Sequence, residues 1–174
     1  SVTVVLPGGK PTSAIQTQSI TLSDNTVNRR DMRRLMDKGT NRQTKGTHQA
    51  MQMQTLQYGL DEVRDISDPR GMRGRILSVD YTIVSAARTS LANFREALAL
   101  NHLSVNRFIH AGYAAGIACL SEEERYLGST VIDFGGGTTA MGTFMDGKLI
   151  YAHSIPIGGH HVTTDIARIL SAPI

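Results

Sequence analysis

The chain has no tryptophan, one cysteine and only 5% aromatic residues among its 174. Each scarcity closes off a class of function. Without aromatic platforms, stacking on nucleic-acid bases is a poor basis for binding, so nucleic acid is not an expected partner. A lone thiol cannot make an internal disulfide, which fits a reducing cytosol. Cys119 sits in the apolar stretch Ala114 to Leu120 and reads as core packing rather than as a nucleophile. No apolar run approaches the ~18 residues that span a bilayer. The N-terminus, S-V-T-V-V-L-P-G-G-K, lacks the basic start and long apolar stretch of a signal peptide. It reads as a strand already under way, and both ends are expected to be cut from something longer.

The rest of the composition, 40% hydrophobic and 19% charged, is ordinary for a globular protein that buries a core. The net charge of +3 is unevenly spread. Between Arg29 and Lys45, seven basic residues (Arg29, Arg30, Arg33, Arg34, Lys38, Arg42, Lys45) face two acids, Asp31 and Asp37. Such a window suits a solvated helix face first, an acidic protein partner second and nucleic acid last.

The most informative segment is Val131 to Thr139, V-I-D-F-G-G-G-T-T. Val131, Ile132 and Phe134 suit a buried strand, and Asp133 comes just before the chain must bend. Three glycines permit positive φ, and their missing side chains let backbone amides approach a ligand. A concave row of amide donors is an anion cradle, with phosphate the commonest occupant. Thr138 and Thr139 can add hydroxyl donors. A carboxylate beside a phosphate makes sense if Asp133 holds a hydrated Mg²⁺ between them. A plain hairpin would use glycines too; the flanking acid and threonines favour the phosphate.

Along the chain, Val2 to Leu6 and Ala14 to Leu22 read as strands around a Pro7-Gly8-Gly9 turn. Asn28 caps a helix with Asp31 at its third position; Met32, Leu35 and Met36 form its apolar stripe, and Gly39 is expected to end it. Thr40 to His48 is polar and reads as a loop. Met51 to Thr55 alternates like a half-exposed strand, Ile66 to Gly74 is turn chemistry opened by Asp-Pro, and Ile76 to Val84 is again a strand. A domain boundary is expected within Ser85 to Thr89. Beyond it come a helix from Ser90 with Leu91, Phe94, Ala97 and Leu98 on one face, a strand from Val105 to Ile109, and a small-residue helix from Ala111 to Leu120. Ser121 to Glu124 is a capping box. Strands at Val131, at Ala140 to Phe144 and at Leu149 to Ile155 follow, the last two joined by the Asp146-Gly147 turn. Pro156-Ile-Gly-Gly159 precedes a helix expected to start near Thr163 or Thr164. A phosphate loop set in a hairpin, with no helix directly after the glycines, excludes P-loop and Rossmann readings and fits an actin-like ATPase fold.

Asp133-Phe-Gly-Gly-Gly-Thr138 resembles the second phosphate loop of actin, the 70-kDa heat-shock chaperones, sugar kinases and bacterial actin relatives. Ala118 to Gly128, Ile155 to Ala167, and above all Tyr58-Gly-Leu-Asp61 with Ile66-Ser-Asp-Pro-Arg-Gly-Met-Arg-Gly74 narrow the resemblance to the FtsA family. The resemblance implies an α/β protein (α+β in its first domain) of the actin-like ATPase fold, with mixed sheets and packed helices. Residues 1–86 would be most of subdomain 1C, an interaction domain, and residues 87–174 the first part of subdomain 2A. ATP with Mg²⁺ would be held by Asp133 (through water), Gly135, Gly136, Gly137, Thr138 and Thr139. Any ATPase activity would be weak and no catalytic residue is assigned. The implied role is a nucleotide-regulated scaffold of the divisome that links the FtsZ ring to the inner membrane, on its cytoplasmic face at the septum. It would self-associate and recruit other division proteins through 1–86. The FtsZ-docking subdomain and the membrane helix have no counterpart here, and this chain alone should bind ATP weakly and present an exposed apolar face. Ala140 stands where the family usually carries an Asp, and Thr55 where it carries a proline. A PilM-like assembly protein and a small-molecule kinase are the alternatives within the superfamily; His160 and His161 would be proton carriers in the second, helix-start residues otherwise.

Overall fold

A computed structural model of the chain describes residues 1–42 and 46–174, those from 40 to 42 by their backbone alone. Fourteen elements follow one another among them: β1 (Val2–Leu6), β2 (Thr12–Thr21), α1 (Arg29–Arg42), β3 (His48–Leu60), β4 (Val63–Ile66), β5 (Ile76–Ala87), α2 (Arg88–Ala99), β6 (Val105–His110), α3 (Ala111–Cys119), α4 (Glu122–Leu127), β7 (Ser129–Phe134), β8 (Thr139–Met145), β9 (Lys148–Ile155) and α5 (Gly159–Leu170). They make a four-stranded antiparallel sheet ordered β2-β5-β3-β4, a parallel pair β1-β6 and an antiparallel meander β7-β8-β9.

β5 organises the molecule. Its residues Leu77, Val79, Tyr81 and Ile83 pack with Ile20, Leu22, Val27 and Leu35 into a core closed over by α1. On the alternate positions, Asp80 accepts from Thr17 and Gln57, while Val84 and Ala86 enter two further cores. Val84 meets Phe144, Leu149 and Ala152 of the meander; Ala86 meets Leu6, Leu91 and Phe108. One strand thus runs through all three cores, and it passes into α2 without a linker, where the boundary from Ser85 to Thr89 was expected. β1 pairs with β6 across about a hundred residues of chain, Val4 opposite Phe108 and Leu6 opposite His110. The outward edge of β9 is capped by side chains of the first sheet: the Leu149 amide donates to Gln54 Oε1 (3.0 Å) and the Ala152 amide to Ser13 Oγ (2.9 Å). Lys148 Nζ donates to the Leu56 carbonyl.

Several local expectations hold. Asn28 Oδ1 accepts the Asp31 amide at 3.0 Å while Asp31 returns to the Asn28 amide, and Ser121 with Glu124 forms the capping box. Asp146 and Gly147 both take positive φ (50° and 71°), the conformation a two-residue hairpin requires. Others are corrected. Gly39 does not stop α1, which continues to Arg42; a Cβ at Gly39 would come 3.2 Å from Tyr81 Oη, so this glycine serves helix-on-sheet contact. Of the loop expected from Thr40 to His48, the first three residues are helical, His48 opens β3, and residues 43–45 lie outside the described ones. Cys119 is exposed at the end of α3 rather than packed, because that helix buries Ala111, Gly112 and Gly116 instead. A Cβ at Gly112 would meet the Met141 backbone at 2.5 Å and one at Gly116 the Phe144 ring at 2.1 Å. The helix therefore sits almost backbone to backbone on β8. Of the apolar face expected on α2, only Leu91 is buried, and Phe94 is exposed.

Candidate functional site

The glycine run lies where β7 turns into β8, with Asp133 opposite Ala140 and Phe134 opposite Thr139. Against expectation, Ile132 and Phe134 are 63% and 62% exposed, because β7 is an edge strand whose outer face nothing covers among the described residues. None of the three glycines takes positive φ, so the turn does not draw on left-handed backbone at any of them. The three are not equivalent. The Gly135 amide closes the turn on the Thr138 carbonyl at 3.0 Å, and a Cβ on Gly135 would meet that oxygen at 2.9 Å. At Gly136 and Gly137 a Cβ would find nothing within 4 Å. Their amides have no protein acceptor among the described residues.

α5 is built onto the back of this turn. The Gly159 amide donates to the Gly135 carbonyl (2.9 Å) and the His160 amide to the Gly136 carbonyl (2.8 Å). Two orphan donors of the helix N-terminus are thereby satisfied, and the loop carbonyls are turned away from the open side. The fit requires glycine at 158, where a Cβ would stand 2.3 Å from the Gly135 oxygen. The helix accordingly begins at Gly159 rather than near Thr163 or Thr164. Those two hydroxyls donate to the Gly159 and His160 carbonyls within the helix, and His161 Nδ1 accepts the Gly158 amide at 3.2 Å as a cap.

The flanking hydroxyls also differ. Thr139 Oγ1 donates to the Ile157 carbonyl (2.7 Å), tying β8 to the segment before α5. Thr138 instead lines a cavity of about 440 Å³ shared with Lys10, Ser90 and Ser154. Ser154 in turn is the partner of His110, a fully buried residue at the junction of β6 and α3. His110 Nδ1 accepts the Gly112 amide at 3.1 Å, so Nε2 carries the hydrogen and donates to Ser154 at 2.9 Å. Burial, then the nearby His153, pushes its pKa down to about 4. The sequence reading missed this residue; its only signal was a polar side chain between an apolar strand and a small-residue helix.

Asp133 is exposed and has no side-chain hydrogen bond among the described residues. No group of three or more His, Cys, Asp or Glu that could hold a metal occurs among them either. One carboxylate beside free amides fits a hydrated Mg²⁺ carried in on phosphate oxygens and does not fit an all-protein cage. Ala140, buried directly across from Asp133, adds no second carboxylate.

The family model described as "SHS2 domain inserted in FTSA" matches residues 8–85, and that described as "Cell division protein FtsA" matches residues 130–174. Over all 174 residues the chain is 38% identical to the cell division protein FtsA of Agrobacterium fabrum and 35% identical to that of Rhizobium meliloti. It spans 39% of the length of each relative. Among solved structures, the PilM–PilN type IV pilus biogenesis complex superposes with a TM-score of 0.53 at 17% identity, over 93% of this chain and 45% of that one. This last likeness shows the fold alone, and it agrees with the mixed α/β, actin-like class expected.

Proposed function

The chain belongs to the FtsA family of cell-division proteins, and on that premise we propose that it is the phosphate-binding and partner-binding portion of an ATP-regulated division scaffold. The observation that carries the reading is the open turn at Gly136 and Gly137. Two amides without a protein acceptor among the described residues sit on a hairpin whose Gly135 and Gly136 carbonyls are held back by α5, with the exposed carboxylate of Asp133 two residues before the first glycine. The Gly136 and Gly137 amides of such a turn can donate to the phosphate oxygens of ATP, with Thr138 beside them. Gly135 and Thr139 act as the frame that fixes this geometry. Mg²⁺, when bound with the nucleotide, supplies charge neutralisation, and Asp133 orients its waters.

Ala140 is apolar and His161 Nδ1 takes the Gly158 amide as a cap, so neither supplies a base for phosphoryl transfer. The reading is therefore a switch that binds ATP and at most hydrolyses it slowly. Residues 1–86 would serve division partners and self-association, while residues 87–174 carry the loop. The finer family traits, linkage to FtsZ and location at the cytoplasmic face of the inner membrane, are part of the same proposal. No helix among the described residues is long and apolar enough to cross a membrane.

Equilibrium binding of Mg·ATP to the wild type, Gly136→Val and Asp133→Ala tests it. A turn this open should bind weakly, with Kd near about 1 mM, equivalent to roughly 4 kcal/mol. Both substitutions are expected to abolish it. Binding that survives Gly136→Val, which has room for its side chain, would reduce the turn to a structural hairpin.

A further inference from the structure

The first turn of α1 holds two arginines, Arg29 and Arg30, against one acid, Asp31, which is buried and bonded to the Asn28 amide. Arg29, Arg30 and Arg33 are exposed, and among the described residues none of them forms an ion pair. The N-terminal end of a helix carries partial positive charge and favours acids, and like charges four residues apart repel. Arg29 stands at that end, and Arg33 faces it four residues on. Arg34 and Lys38, further along, do find acceptors, in the carbonyls of Thr21 and Ser19 on β2. The unpartnered charge is thus concentrated at the beginning of the helix.

The neighbouring loop adds to it. The Val27 amide donates to the Met72 carbonyl and the Gly71 amide to the Val27 carbonyl, and Thr26 bridges Arg73. These bonds fasten the Asp68 to Gly74 segment beside the start of α1. Arg70 is held in a forked pair by Asp68, and that partner keeps the Asp68 carboxyl down at about 2. Arg73 is exposed and unpaired among the described residues. Between helix and loop lies a cavity of about 370 Å³ with Met32 and Tyr58 as its apolar floor and Arg29, Ser67, Asp68 and Arg70 around it.

We propose that this surface docks an acidic segment of a partner protein, with one large apolar side chain of that segment seated on Met32 and Tyr58 and its flanking carboxylates met by Arg29, Arg33 and Arg73. An apolar anchor inside a charged rim is how short peptides gain both affinity and register. A lipid surface fits the shape less well, because of the apolar stripe of α1 only Met32 lines the cavity, Leu35 and Met36 being packed into the core. A nucleic acid would need stacking faces, and the one aromatic ring here is half-buried Tyr58. The surface lies within residues 1–86 and rests on the partner-binding reading of that segment, but it uses none of the residues of the glycine hairpin and does not depend on nucleotide binding.

The test uses a fluorescein-labelled peptide, Glu-Glu-Asp-Phe-Glu-Asp-Glu, and the whole chain, at low and at high salt. Binding should shift the Met32 and Tyr58 resonances, weaken about tenfold in Arg29→Glu/Arg33→Glu, and weaken clearly when the peptide's Phe becomes Ser. The peptide change cannot unfold the protein, and the double variant should melt no lower than the wild type because acids suit that helix end. Absence of binding, or binding indifferent to the Phe→Ser change, would overturn the proposal. So would tighter binding of phosphatidylglycerol vesicles or single-stranded DNA at the same resonances.

Discussion

The two ends of the chain treat their apolar residues in opposite ways. Around β5 and α1, Leu35, Leu77, Val79 and Tyr81 are almost wholly buried, and the stripe on α1 faces the sheet. On α5, Val162, Ile166 and Ile169 are exposed, as are Ile132 and Phe134 on β7, and that helix is held mainly by its first two amides on the glycine turn. In the first region the core is closed. The second region has its phosphate turn braced but its flank open, and an open apolar flank of this kind marks a contact surface.

The largest test of this contrast lies in the first region and its seam with β8. Leu35→Ala should cost about 2–5 kcal/mol, read as a fall in the denaturant midpoint. Gly116→Leu, forced onto the buried Phe144 ring, should cost at least about 1–3 kcal/mol. If either were neutral, the packing described for α1 or α3 would be wrong.

Next comes His110. Its unfolded imidazole takes up a proton as pH falls through 6.5, whereas the folded one resists until about 4. Stability is therefore complete above pH 6.5, is lost across the interval down to about 4, and levels off below it. The full difference is up to about 3 kcal/mol. His110→Gln should flatten that part of the pH profile; a profile unchanged by the substitution would mean another group sets it.

Removing the Ser121 cap should cost about 1 kcal/mol and loosen α4 alone, visible as faster amide exchange at Glu124 and Arg125. The smallest expected effect is the sharpest for the comparison. Ile166→Ser on α5 should change folding stability by less than about 0.5 kcal/mol while reducing self-association at high concentration. A loss comparable with Leu35→Ala would show that α5 is packed after all.

The sequence made local chemistry legible. Asn28 with Asp31, Ser121 with Glu124 and Asp146-Gly147 each specify a bond pattern within a few residues, and each is present. Hairpin placement of the glycine run was legible for the same reason. What depends on distant partners was not. Nothing near β1 announces β6, and nothing in Ile132 or Phe134 tells an edge strand from a buried one. Gly39 looks like a breaker residue in sequence, yet it is there because the Tyr81 ring from another element presses against it. The division among Gly135, Gly136 and Gly137 likewise needed the position of α5.

The central claim is that the open amides of the turn receive phosphate. Amide chemical shifts recorded during a Mg·ATP titration test it most directly, in the wild type and in Gly136→Val. The account predicts saturable shifts centred on Gly136, Gly137 and Thr138 that vanish in the variant, with Gly135 moving less because its amide is already bound to Thr138. Shifts that survive Gly136→Val, or that gather elsewhere and leave the turn unmoved, would contradict it.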